Sequence, residues 1–214
     1  MTRNIADLRK EYSKQRLLEK DVAADPILQF EKWWAEAVAA VITEPNAMIL
    51  ATASIEAVPS ARTVLLKEFS EKGFIFFSNY ESYKAQQLAE NPKACLVFLW
   101  KELERQVRIT GIVIRQSATE NDKYFNSRPH SSRLAAIVSP QSQVIPGREW
   151  LDNEYKKLEN EWKDREPQRP DRWGGYLVKP VIIEFWQGGL NRLHDRLQYS
   201  LEDDGNWKME RLAP

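Results

Sequence analysis

Between residues 47 and 115 the chain carries five short segments that read as strands, at 47–53, 62–67, 74–79, 94–100 and 106–115. Turn residues, among them Pro59 and Glu71-Lys72-Gly73, separate most of them. Strands joined by short connections pair antiparallel, because parallel neighbours need a crossover of a dozen or more residues. Two further strands, 173–186 and the stretch after Gly188-Gly189, form a C-terminal hairpin, and Gly205-Asn206 turns into a last one at 207–212. The pattern predicts a small antiparallel barrel. Gly111 inside its strand suggests a bulge or a close backbone approach.

Helical signals sit around this core. Asp25-Pro26 is an N-cap followed by proline at the first helical position, with Phe30, Trp33, Trp34, Ala37, Val38 and Val41 as the buried side and Pro45 as the stop. Ser82 caps a helix to Asn91-Pro92. Ser117 and Glu120 form a capping box, and Ser131 and Ser132 are placed to cap the next helix after Pro129. In 147–164, Leu151, Tyr155, Leu158 and Trp162 form a packing side. Residues 4–18 place Ile5, Leu8 and Tyr12 at helical spacing among many charges, a weak helix that stays mobile until something holds it. We therefore divide the chain into a mobile helical segment, 1–20, and one domain, 21–214, whose stretch 173–214 is its C-terminal hairpin region.

The 214 residues suffice for one good core. Lysine plus arginine equals aspartate plus glutamate at 31 each, so no global basic field attracts nucleic acid, and any anion site is local. Cys95, the only cysteine, excludes an intrachain disulfide and reads as a buried core residue in a reducing compartment. No apolar run approaches membrane-spanning length and the N-terminus lacks an apolar signal core. A soluble, cytoplasmic protein is the expectation. No metal-ligand cluster is present in the pattern.

Three groups of residues carry chemistry. In Glu184-Phe185-Trp186-Gln187-Gly188-Gly189-Leu190-Asn191-Arg192-Leu193-His194-Asp195-Arg196, strand alternation puts Arg192, His194 and Arg196 on one face and Leu193, Asp195 and Leu197 on the other. Gly188, Gly189 and Asn191 supply the turn by tolerating positive φ. Two guanidiniums around an imidazole suit a planar anionic ligand, although a solvated hairpin face shows the same pattern. Lys84 lies in a first helical turn, where a cation is unfavourable unless an anion is near. Tyr124 and Arg128, four apart, with Ser132 at the next helix start, form a phosphate cradle or simply a capped corner.

These residues bring a family resemblance with them. E-F-W-Q-x-x-x-x-R-L-H-D-R resembles the C-terminal signature of the pyridoxamine 5′-phosphate oxidase family, and the likeness runs in order from Arg9 to Arg211-Leu212-Ala213-Pro214. It implies a mainly β fold with flanking helices, an FMN-binding split β-barrel, assembled as a homodimer with FMN at the interface and the 173–214 region serving dimerisation and substrate contact. The implied reaction oxidises pyridoxamine or pyridoxine 5′-phosphate to pyridoxal 5′-phosphate, with O2 reduced to hydrogen peroxide.

The resemblance assigns residues as follows. Arg9-Lys10-Glu11-Tyr12 contact substrate, and Lys67, Tyr124, Arg128 and Ser132 hold its phosphate. Arg192 and His194 act on the substrate ring, with Leu193 beside them. R-x-V-L-L-K supplies the flavin-binding strand through Arg62, Thr63, Val64, Leu65, Leu66 and Lys67. Phe77, Ser78 and Lys84 follow, then Gln106, Gln141 and Ser142, and finally Trp186 and Arg196. Tyr83 departs from the family, which usually has arginine there, and so removes one phosphate contact. Another split-barrel flavin enzyme, such as a flavin reductase, and a flavin-free carrier of pyridoxal 5′-phosphate are the alternative readings.

Overall fold

The computed structural model describes Asn4 and residues 11–214. Ile5, Leu8, Arg9 and Lys10 lie outside the described residues, and residues 11–18 carry no helix, contrary to the amphipathic reading. By contact the chain divides into two compact units, which we name for their place in the sequence. The terminal unit holds the described residues up to Leu50, with Cys95–Gly111 and Pro180–Pro214; the central unit holds Ala51–Ala94 and Ile112–Lys179.

The strands are β1 (Ala47–Ala53), β2 (Pro59–Leu65), β3 (Glu68–Ser70), β4 (Gly73–Asn79), β5 (Lys93–Trp100), β6 (Arg105–Arg115), β7 (Trp173–Gln187), β8 (Asp195–Leu201) and β9 (Trp207–Leu212). Among the described residues they hydrogen-bond in the order β2-β1-β5-β6-β7-β4-β3, with β8 on β7 and β9 on β8. The helices are α1 (Pro26–Ala39), α2 (Tyr83–Glu90), α3 (Ala118–Ser127), α4 (His130–Val138) and α5 (Arg148–Glu161). The fold is mainly β with flanking helices, as the strand pattern predicts.

In the terminal unit, α1 begins where Asp25 accepts hydrogen bonds from the Ile27 and Leu28 amides, with Pro26 in the first turn. Phe30 and Trp33 are buried and meet the sheet, with ring centroids 5.2 Å from Phe98 and from Phe185 respectively. Phe185 and the buried Tyr199 extend the core towards β8 at 5.7 Å. The helix does not end at Pro45. Val41 adopts φ 54°, its amide donates to the Val38 carbonyl and the Ile42 amide to the Ala37 carbonyl. This is a left-handed C-terminal cap with valine where glycine is usual. Its geometry turns Val41 outward, 87% exposed, and Val38 is exposed as well, so neither belongs to the predicted apolar side. Cys95 is half-buried rather than a core residue.

In the central unit, β4 runs between β3 and β7, with Phe76 opposite Tyr176 and Asn79 opposite Trp173. Phe74, Phe76, Phe125, Leu134 and Val178 are its buried core. The 62–67 strand predicted as a partner of β4 instead ends at Leu65, and the short β3 takes that place. Pro59, expected in a turn, starts β2, a position that needs no ladder donor. The Ser117 and Glu120 capping box forms as read. Pro129, not Ser131 or Ser132, is the N-cap of α4, which leaves the Ser132 hydroxyl available to its surroundings. Burial alternates without a slip from Arg105 to Val113 in β6.

Candidate active site

A cleft of about 1240 Å³ opens in the central unit. Arg62 to Leu65 line it from β2, and Lys67 follows them. Phe77 and Ser78 reach it from β4 and Lys84 from α2. Tyr124 and Arg128 enter from the end of α3, Ser132 from α4, and Gln141 and Ser142 from the loop beyond. Leu66 is the exception among the residues assigned to this region: it is buried in the core.

Burial and hydrogen bonding give the cleft its character. Lys84 is 8% exposed, and its Nζ donates to Ser78 Oγ at 3.1 Å, Ser82 Oγ at 3.1 Å and Gln141 Oε1 at 2.9 Å. All three acceptors are neutral. Burial, with the Arg62 charge adding to it, lowers the Lys84 pKa to about 8. Arg62 is held by Thr52 Oγ1 at 2.6 Å and Ser60 Oγ at 2.5 Å, and both hydroxyls donate in turn to Gln87 of α2, at 2.5 and 2.6 Å. Burial pushes the Arg62 pKa down too. Two partly desolvated cations near each other are unfavourable by themselves and become favourable around an anion.

Arg128 shows the same demand at the end of α3. Its guanidinium lies 4.7 Å from the Trp173 ring centroid, and its Nη1 is buried with no hydrogen-bond partner. Burial lowers its pKa, and neighbouring Tyr124 partly opposes the shift. Beside it Tyr124 stacks on Phe77 at 3.9 Å and 21°, and Phe77 stacks on Trp173 at 5.3 Å and 15°. The cleft therefore combines an aromatic slab with the partly desolvated cations Lys84, Arg62 and Arg128.

The remaining assigned residues belong to the terminal unit and line no part of this cleft. Trp186, His194 and Tyr12 form an aromatic cluster, with centroids 4.6 Å apart for Trp186–His194, 5.7 Å for Tyr12–Trp186 and 5.8 Å for Tyr12–His194. The Gly189 amide donates to His194 Nδ1 at 3.1 Å, which fixes Nδ1 as an acceptor and leaves Nε2 to carry any proton of the neutral ring. Arg196 is paired: its Nε donates to Glu184 at 2.9 Å, which raises its pKa, and Arg108 approaches the same buried carboxylate at 3.3 Å. Gln106 sits on β6, half-buried, and Glu11 is exposed.

The predicted shared face of Arg192, His194 and Arg196 does not exist. β8 starts only at Asp195, and Leu190–Arg192 form a short 3-10 turn in which Asn191 and Arg192 take φ 54° and 63°. Strand alternation therefore does not reach Arg192 or His194, and Leu193 points outward, 70% exposed, instead of joining the buried Leu197. The two glycines serve close approach rather than positive φ. A Cβ at Gly188 would lie 2.7 Å from Tyr12 Cβ, and one at Gly189 would lie 2.4 Å from the Leu193 carbonyl oxygen.

Sequence reasoning missed Trp173, Asn79, Arg148 and Asp152 as cleft residues, and took Leu151 and Tyr155 only for packing. The α5 stripe was visible, but a half-apolar stripe reads alike whether it faces a core or a cleft.

Residues 34–160 match the family described as pyridoxamine 5′-phosphate oxidase, and residues 173–214 match the pyridoxine 5′-phosphate oxidase C-terminal dimerisation region. A pyridoxine/pyridoxamine 5′-phosphate oxidase of Cyanothece sp. is 55% identical over 214 residues, covering 100% of each chain. The protein of the same name from Nostoc punctiforme is 53% identical, again over 100% of each. Among solved structures, PhzG from Burkholderia lata in complex with tetrahydrophenazine-1-carboxylic acid superposes with TM-score 0.87 at 31% identity, over 92% of this chain and 98% of that one. A pyridoxamine 5′-phosphate oxidase-related, FMN-binding protein from Nostoc punctiforme gives TM-score 0.72 at 18% identity, over 86% and 97%, a likeness of fold.

Proposed function

The chain belongs to the pyridoxamine 5′-phosphate oxidase family, and on that premise we propose that it oxidises pyridoxamine or pyridoxine 5′-phosphate to pyridoxal 5′-phosphate with FMN as cofactor. It has the family's split-barrel fold. O2 takes the two electrons and becomes hydrogen peroxide; the amine substrate also consumes water and releases ammonia.

The observation that carries this reading is the pair of anion-demanding groups in one cleft, Lys84 with neutral acceptors alone and Arg128 with an orphaned buried nitrogen. A phosphorylated cofactor and a phosphorylated substrate answer both. Bound FMN supplies the redox chemistry, accepting a hydride equivalent from the substrate and passing electrons to O2. Lys84 and Arg62, with Ser78 and Gln141, hold the cofactor phosphate. Lys67, Tyr124, Arg128 and Ser132 hold the substrate phosphate, so binding energy remote from the reacting carbon orients it. Arg192 and His194 align the substrate ring, and Trp186, Gln106 and Arg196 contact the flavin.

We place FMN at the interface of a homodimer. The match of 173–214 to a dimerisation region supports the dimer. So do exposed apolar side chains on the strands, Ile49 and Leu99 in the terminal unit and Ile112 and Ile114 in the central one, which a lone soluble chain would leave wet. The same reading sets the protein in the cytoplasm, in keeping with its single cysteine.

An anaerobic visible spectrum of the FMN-loaded protein tests the function. Pyridoxine 5′-phosphate is expected to bleach the flavin, and air to restore it with an aldehyde product. Flavin that stays oxidised with this substrate, yet is reduced by a nicotinamide, would replace the oxidase with a reductase.

Two predictions concern the cofactor phosphate. Lys84 is cationic below its pKa of about 8 and neutral above it. Affinity for the phosphate dianion is therefore full near pH 7 and declines several-fold by pH 9. Titrating apoprotein with FMN across that range checks this, and a flat profile refutes it. Tyr83 lines the cleft at the start of α2 and is 49% exposed, so a charge there is partly screened. Tyr83→Arg is expected to tighten FMN binding by only a few-fold; unchanged or weaker binding counts against the assignment.

A further inference from the structure

The turn between β5 and β6 holds a group that the oxidase reading does not use. Glu104 is 3% exposed and adopts φ 57°, a left-handed conformation uncommon for glutamate. Its Oε2 accepts the backbone amides of Ser13 at 2.9 Å and Lys14 at 3.1 Å. Its carbonyl oxygen accepts the Gly188 amide at 2.7 Å and Gln187 Nε2 at 3.2 Å. One residue thus grips the Tyr12–Lys14 strand of chain with its side chain and the start of the Gly188–His194 turn with its backbone. The space between them is filled: a Cβ at Gly188 would meet Tyr12 Cβ at 2.7 Å and Glu104 Cβ at 3.1 Å. The outcome of this grip is the ring cluster of Tyr12, Trp186 and His194.

We infer that Glu104 is a positioning residue for the oxidase: its carboxylate clamps the Tyr12 segment onto the imidazole-bearing turn, and substrate affinity depends on the clamp. The inference rests on the oxidase reading for its link to substrate, though not for the clamp itself. A second anchor lies further along, where the Leu17 amide donates to Asp195 at 3.0 Å and Arg211 donates to the Leu17 carbonyl at 2.8 Å. Loss of the Glu104 grip therefore releases the Ser13 and Lys14 amides, while Lys14 Nζ on the Glu102 carbonyl at 2.6 Å, Gln15 on Arg105 and the Leu17 anchor still tie the chain that follows. The effect is local, not a general loosening.

Glu104→Asp isolates the clamp. Aspartate keeps the charge and tolerates the left-handed backbone better than glutamate, but it is one methylene too short to reach both amides. Glu104→Gln keeps the reach and an acceptor oxygen. In the full-length FMN-loaded protein, Glu104→Asp is expected to raise KM for pyridoxine 5′-phosphate about tenfold with kcat within twofold, and Glu104→Gln to restore most of it. Adding Glu104→Asp to Tyr12→Ala is expected to cost nothing beyond Tyr12→Ala alone, because both act through one ring. Amide hydrogen exchange at Ser13 and Lys14, measured without substrate, is expected to quicken at least tenfold in Glu104→Asp.

Unchanged exchange and unchanged KM in Glu104→Asp overturn the proposal. Losses that multiply in the double variant overturn action through Tyr12. If the wild-type protein oxidises neither substrate, the oxidase reading and the link to substrate fall together, while the exchange measurement still decides whether Glu104 clamps the segment.

Discussion

Arg128→Leu is expected to lower kcat/KM for pyridoxine 5′-phosphate about a hundredfold, almost all of it through KM, with FMN affinity unchanged. A charge-assisted hydrogen bond to a phosphate contributes roughly 1.5–3 kcal/mol, or about 10- to 150-fold in binding. The upper part of that range applies because Nη1 is buried and solvent screens it little. Arg128→Lys restores only part of the loss, since an ammonium cannot present the planar fork or stack on Trp173 in the same way. Stability without ligands moves the other way. Burial already lowers the Arg128 pKa, so the folded apoprotein carries an incompletely compensated charge, and leucine removes that burden. Thermal unfolding of apoprotein is expected to show no loss, or a small gain. A normal KM in Arg128→Leu would remove Arg128 from the phosphate site.

Arg192→Leu is expected to cut kcat/KM at least tenfold while FMN stays bound. Arg192 is exposed and sits on the turn before β8 with φ 63°, so its side chain adds little to the core and its loss leaves the fold intact. Leucine at that φ carries the same kind of backbone cost as arginine, which makes the substitution clean. If the guanidinium aligns the substrate ring, its removal lowers kcat as well as raising KM, because misalignment reduces the fraction of reactive poses. Flavin absorbance after desalting checks retention, and steady-state rates check the rest. Near-normal kcat/KM would assign Arg192 to solvent.

Much of the architecture was legible because its causes are local. The capping box at Ser117 and Glu120, the Asp25-Pro26 helix start and the β1 limits all depend on residues within a turn of one another. The meeting of Tyr124, Arg128 and Ser132 at one cleft was legible in part for the same reason: the three straddle one helix corner. Where alternation was extended too far it failed. Arg192 and His194 look like strand residues in sequence, yet Glu104 draws Gly188 to itself from more than eighty positions away, and the segment turns. The α1 terminus failed for a different reason. Valine at a left-handed cap contradicts propensity, so Pro45 looked like the stop when the chain had already turned.

The sequence by itself determined the mainly β class, the helix starts, the balance of charge and, through its ordered signature, the family. Only the tertiary structure decided that Lys84 is buried among neutral acceptors, that Arg128 Nη1 has no hydrogen-bond partner, that Arg196 is already paired with Glu184, and that Glu104 holds the Tyr12 segment. The division has a physical basis. Caps and alternation are set by backbone geometry over a few residues, whereas the charge state and availability of a side chain depend on desolvation and on partners brought from distant parts of the chain.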